Sequence, residues 1–260
     1  MVLAVISAGF FAGFISTIAG SGSLISLPLL IALGLPVNIA NGTNRVAILL
    51  QNLVGVGSFK AKNIFTFREG ILYAIPTIFG AILGAELAVE LDENLMKIAI
   101  SVLLFIMFFI ILLNPKAWLK KKEEIILEEV NKFKKYLKIS VKFIIFFAIG
   151  VYGGFIQVGV GLFLLAGLVL GAKFDLIKAN GIKVFIILLF TIAAISVFII
   201  NGQVDYKIGL ILAIGNMAGA YVATKVAIKK GAKFIRFILL FVTLLAAIEI
   251  SGLRKLIFSF

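Results

Sequence analysis

The sequence contains neither cysteine nor histidine. Disulfide frameworks, thiolate nucleophiles, zinc sites built on Cys or His and imidazole proton relays are therefore excluded. Acidic residues are scarce, 12 Asp plus Glu against 25 Lys plus Arg, and charged residues are 14% of the chain. No carboxylates pair inside an apolar run, so acid–base and metal-assisted hydrolysis lack their groups, and an enzyme is not expected. No Gly-rich Lys-Ser/Thr loop is present, so direct use of ATP is not expected either. Neither a metal nor a cofactor is implied.

Apolar residues fill the space these absences leave. The 260 residues are 62% hydrophobic with a mean hydropathy of +1.20, outside the range of soluble domains. Several runs approach the roughly 20 residues needed to cross a bilayer. The formal charge of +13 does not point to nucleic acid, because the lysines cluster between apolar runs, where cytoplasmic loops meet anionic lipid. The first run starts without preceding basic residues and without a clear cleavage site, so it is expected to be a span and not a removable signal.

Ten apolar segments are expected, at 2–19, 23–36, 43–59, 70–89 and 95–113, then at 139–157, 160–172, 182–200, 206–227 and 234–252. Three regions follow: a first transmembrane repeat at 1–113, a basic interfacial linker at 114–138 and a second repeat at 139–260. The second segment of each set is short, barely reaching about 20 Å as a helix, so it is either a thin span or a re-entrant half-helix. The two sets look duplicated. At an offset of 139, Gly20 meets Gly159, Gly22 meets Gly161, Asn41 meets Asn180 and Gly80 meets Gly219, and a one-residue slip pairs Arg45 with Lys183.

The fold expected is an all-α polytopic membrane protein. If all ten segments cross, the basic loops around Lys60–Arg68, Lys116–Lys138, Lys173/Lys178 and Lys225–Lys233 share the cytoplasmic side. Five spans per repeat then invert the repeats relative to each other. The alternative is eight spans with two re-entrant segments, which puts Lys225–Lys233 outside; the charge distribution favours ten.

Two breaks carry the chemistry. Around Gly20, Ser21, Gly22 and Ser23, and again around Gln157, Gly159 and Gly161, small residues interrupt apolar helix and free backbone N–H groups that can hold an anion. Asn41, Thr43, Asn44 and Arg45 follow the first break; Asn180 and Lys183 follow the second. A cation in the hydrocarbon core usually faces a cavity, a partner or a substrate. Arginine offers an oxyanion a fork of donors and lysine a point charge. In inverted repeats, equivalent residues such as these converge on one midplane site. The competing readings are snorkelling of both cations to the interface, close packing through the glycines and capping of helix starts by the polar residues. Gln51 and Asn52, inside the third segment, either line the same cavity or bond between helices. Glu86, inside the fourth, is either a proton-coupling group or the partner of a neighbouring helix.

The residues Gly13-Phe14-Ile15, Ile18-Ala19-Gly20, Gly22, Leu24, Pro28, Gly34-Leu35-Pro36 and Thr43-Asn44-Arg45 resemble the first motif of the TauE/SafE family, whose members export sulfite and organosulfonates. Gly150, Tyr152, Gly153, Gly154, Gly159, Gly161 and Lys183 resemble its second. Ser21 and Ser23 replace two glycines of the pattern, Arg45 a lysine, Gln157 a glycine and Ile186 an asparagine. The resemblance implies a secondary transporter in the cytoplasmic membrane that moves a small sulfur-containing oxyanion or sulfonate by alternating access. A passive anion channel is the alternative, and a homodimer is an open expectation. The partners implied are a small anionic substrate and membrane lipid.

Overall fold

The computed structural model describes residues 2–90 and 132–250, and every regular element among them is helical. The expected segment at 95–113 and most of the basic linker lie outside the described residues. Helix α1 spans Val2–Ala19 and stops at Gly20, whose φ of +76° is left-handed. Helix α2, Ser23–Ala32, has 10 residues, about 15 Å and half a hydrocarbon core. It ends in a Schellman turn: Leu35 N–H reaches Leu30 C=O and Gly34 N–H reaches Ile31 C=O, with Gly34 at φ +92°. Pro36 then starts α3, Val37–Lys60.

Thr66 and Glu69 open α4, Phe67–Glu90, as a capping box in which the Glu69 carboxylate accepts from the Thr66 N–H and hydroxyl, each at 3.0 Å. Helix α5 covers Lys132–Phe155, so its first turns include the end of the expected linker. Helix α6, Val160–Ala166, runs on as a π-turn, Gly167–Gly171. Asp175 caps α7, Leu176–Ile200, by accepting from Ile177 and Lys178 N–H. Helix α8 runs from Tyr206 to Ile250 with one break at Gly231, φ +76° and ψ −171°. That break separates the two segments expected at 206–227 and 234–252.

The order of α1–α4 recurs in α5–α8, and the first helix of each half packs against the fourth helix of the other. In the α1–α8 pair, Gly9 and Gly13 lie against Leu212 and Asn216, while Gly215 and Gly219 lie against Ile6, Phe10 and Phe14. In the α4–α5 pair, Gly80 and Gly84 lie against Phe147, Val151 and Phe155, and Gly150 and Gly154 against Thr77 and Ala81. A Cβ at Gly13, Gly80 or Gly84 would fall 1.8–2.2 Å from backbone oxygen. Small residues thus let the backbones touch, the usual source of helix affinity where lipid removes the hydrophobic drive.

Helix α3 lies at the centre. It runs parallel to α8, since Asp205 N–H donates to Thr43 Oγ1 and Asn216 Nδ2 donates to Gln51 Oε1. It runs antiparallel to α7, since Gly42 meets Phe198 and Gln203 while Gly181 meets Phe59 and Phe65. Helix α2 folds back along α1: Gly22 meets Ala12 and Ser16, and Leu33 joins Val2 and Val5 around an apolar cavity of about 70 Å³. Lys225 lies nine residues beyond Asn216, as Lys60 lies nine beyond Gln51, so both reach the same end of the bundle. Lys178 is there too, bridged to Glu69 at 2.6 Å.

The outside of the bundle is apolar, and a set of polar side chains lies inside the apolar core. Phe79, Ile144, Leu210 and Phe241 are more than half exposed, whereas Thr43, Asn44, Arg45, Gln51, Lys183, Thr191 and Asn216 are at most 1% exposed. Four described helices have spans long and apolar enough to cross a membrane: Val2–Ala19, Phe67–Val89, Leu176–Ile200 and Tyr206–Phe241. Helix α3, 24 residues long, is kept from that set by polar side chains that face protein, not lipid.

Candidate functional site

The two helix breaks meet. Gly161 N–H donates to Gly20 C=O at 3.3 Å, and a Cβ on either glycine would fall 2.2–2.3 Å from the other's Cα. Gln157 and Gly159, at φ +61° and +72°, turn the second break and leave Gly159 at the N-cap of α6. Gly22 packs on Ala12 and Ser16. Close packing is therefore real at these glycines, and it places two broken helices backbone to backbone in the interior.

Both cations are wholly buried, so neither snorkels. Each holds the end of the other half's first helix. Arg45 donates through Nη1 to the Gly153 carbonyl at 3.3 Å and through Nη2 to the Gly154 carbonyl, and its guanidinium lies 4.6 Å over the Phe198 ring. Lys183 donates to the Ser16 and Thr17 carbonyls at 3.2 and 2.8 Å. These are last-turn carbonyls, where the helix dipole is negative; that of Ser16 also accepts from the Gly20 N–H at 2.7 Å. No acidic side chain among the described residues forms an ion pair with either cation.

The remaining sequence candidates divide. Asn41 donates to the Phe155 carbonyl at 2.8 Å, completing the set at the end of α5. Asn44 donates to Ser23 Oγ and accepts from Ser26 Oγ, tying α2 to α3. Thr43 fastens the start of α8. None of these three caps a helix start, because α3 begins at Val37; Asn180 likewise sits inside α7, whose cap is Asp175. Gln157 Nε2 donates to Thr191 Oγ1 at 3.0 Å. Ser21 Oγ, Thr17 Oγ1, Gln157 Oε1, Asn41 Oδ1, Arg45 Nε and both amide atoms of Asn180 are buried and without a partner. Glu86 stands apart, exposed on the outer face of α4 beside exposed Ile82, Leu83 and Leu87.

Sequence reasoning missed Ser16, Thr17, Ser26, Thr191 and Asn216. Gln51 links two of them, donating to Ser16 Oγ at 2.9 Å and accepting from Asn216. A polar residue inside an apolar run was the available signal at Thr191 and Asn216. The backbone carbonyls that engage the cations have no such signal.

The sequence that forms this helical bundle, with its two crossing glycine breaks and buried cations, matches the family model described as sulfite exporter TauE/SafE over residues 5–250. The chain belongs to the TauE/SafE family. It is 30% identical over 247 residues to the probable membrane transporter protein ORF9 of Sinorhizobium sp, covering 94% of this chain and 89% of that one. It is 26% identical over 228 residues to a probable membrane transporter protein of Haemophilus influenzae, covering 88% and 86%. It is 25% identical over 225 residues to the probable membrane transporter protein YfcA of Escherichia coli, covering 86% and 80%. No solved structure matches the chain. As a TauE/SafE protein with several long apolar helices, the chain is a multi-pass membrane protein of a transporter family.

Proposed function

We propose that this TauE/SafE protein is a secondary transporter that moves a small sulfur-containing oxyanion or sulfonate across the cytoplasmic membrane by alternating access. The observation that carries the reading is the burial of Arg45 and Lys183 with no ion-pair partner among the described residues. Helix-end carbonyls offset part of the charge, and a bound anion would supply the rest at the crossing of the two breaks. Antiparallel α3 and α7, together with the exchanged α1–α8 and α5–α4 pairs, support two inverted repeats, the arrangement that lets one half rock on the other around a shared site. We read ten spans, with the Lys60, Lys178 and Lys225 end cytoplasmic.

The test is a panel of sulfite, thiosulfate, sulfate and sulfoacetate against the purified chain, followed by flux in vesicles. At least one anion should raise Tm and be moved uphill by an ion gradient. Flux that only dissipates a gradient would make the protein a channel. Absence of both stabilisation and flux across the panel would refute anion transport.

A further inference from the structure

The two halves use equivalent polar residues unequally. In the first half, Arg45 commits Nη1 and Nη2 to the Gly153 and Gly154 carbonyls, and Asn41, one turn earlier, gives its amide to Phe155. That pair spends its amide and both terminal guanidinium nitrogens on backbone, leaving only Arg45 Nε and Asn41 Oδ1 unpartnered. In the second half, Lys183 uses two of its three N–H groups on Ser16 and Thr17. Asn180, three residues earlier on the same face, is 0% exposed and bonds to nothing through either amide atom.

The reason is local. The residue equivalent to Phe155 at the offset of 139 is Ser16, and its carbonyl already accepts from the Gly20 N–H at 2.7 Å and from Lys183. Asn180 has therefore lost the role that Asn41 keeps. Thr17 Oγ1 and Ser21 Oγ, one turn apart beside the same helix end, are buried and unpartnered as well. Buried polar groups left unpaired are costly and rare, and these lie on the two segments that Lys183 joins, which marks a place that something polar fills.

We infer that the transported anion docks on the Lys183 side of the crossing, held by the third Lys183 N–H, the Asn180 amide and the hydroxyls of Thr17 and Ser21, while Arg45 and Asn41 form a structural clamp. This rests on the reading above that the substrate is a small anion. The donors come from both halves: Lys183 and Asn180 from α7, Thr17 and Ser21 from the end of α1 and its break. The ligand thus bridges the two parts that must move relative to each other.

Two arms test it on the full purified chain. In the first, sulfite and sulfoacetate affinities are measured alongside Tm. Asn180→Ala and Ser21→Ala should each weaken affinity about tenfold while Tm of the anion-free protein holds or rises, because no protein hydrogen bond is lost. Asn41→Ala should lower Tm. Unchanged affinity in Asn180→Ala would overturn the inference and assign these groups to ordered water. The second arm uses no anion. Asn180→Asp places a carboxylate beside Lys183 and should raise Tm by a few degrees, whereas Asn41→Asp sets a carboxylate against the Phe155 carbonyl and should lower it. Asn180→Asp no more stable than the parent would also overturn the placement. Because this arm needs no ligand, it decides the inference even if no anion in the panel binds, an outcome that would refute the transport reading itself.

Discussion

Gly20 and Gly161 touch backbone to backbone, joined by one hydrogen bond of 3.3 Å from the Gly161 amide to the Gly20 carbonyl. A Cβ on Gly161 would sit 2.3 Å from the Gly20 Cα, and one on Gly20 would also have to accept φ +76°. Neither neighbour is a flexible side chain that can yield. Gly161→Ala and Gly20→Ala should each cost about 1–3 kcal/mol of stability by overpacking. Gly57→Ala is the control, since its Cβ enters open space within α3; it should be neutral or raise Tm slightly. Thermal unfolding of the three variants checks the contrast.

Arg45 and Lys183 differ in what their loss should do. Arg45→Ala leaves the Gly153 and Gly154 carbonyls without their cation and should cost about 1.5–3 kcal/mol, the range for hydrogen bonds to charged groups. Arg45→Lys keeps the charge but not the fork or the stacking on Phe198, and should fall between. Lys183→Ala should in addition weaken anion affinity roughly ten- to a hundredfold. Parallel Tm and affinity measurements separate the two effects, and equal loss of affinity in both alanine variants would contradict the clamp assignment.

Topology is directly measurable because the chain has no cysteine to remove. Single cysteines at Lys62 and Lys230 should both be shielded from an impermeant thiol reagent in right-side-out vesicles, while one at Gln203, at the opposite end beside Gly42, should label. Labelling at Lys230 with Lys62 protected would contradict the shared basic end.

Glu86 is the candidate for coupling to a proton gradient. If it carries the proton, Glu86→Gln should abolish pH-driven transport and leave anion affinity intact, since it lies on the outer face of α4, away from the buried polar groups. Transport by that variant with unchanged dependence on pH removes Glu86 from the mechanism.

Much of the fold was legible because apolar runs dictate helices in lipid, and Gly20, Gly34 and Gly159 mark the turns that only a left-handed residue makes easily. Helix starts were less so. The third segment, expected at 43–59, begins at Val37, because Asn38, Asn41 and Asn44 lower hydropathy although Asn41 and Asn44 face protein. The segments at 206–227 and 234–252 are divided by a single residue, Gly231, and not by a loop. In the site, the sequence marked the cations but not their partners. Gly153, Gly154, Ser16 and Thr17 act through main-chain carbonyls, which every residue possesses, so only the fold reveals which ones matter.

The crossed grip of the two cations has a consequence for how the protein is made. The Gly153 carbonyl lies 108 residues after Arg45, so at roughly 5–20 residues per second the ribosome supplies it several seconds after α3 has been synthesised. The end of α1 waits longer still, for a lysine 167 residues downstream of Ser16. Until then a bare guanidinium must be sheltered within the insertion machinery or sit at the lipid surface, since hydrocarbon does not accept it cheaply. The N-terminal half is thus an unfinished product when it leaves the ribosome. Made alone it should be degraded, and supplied with the other half as a separate chain it should be rescued.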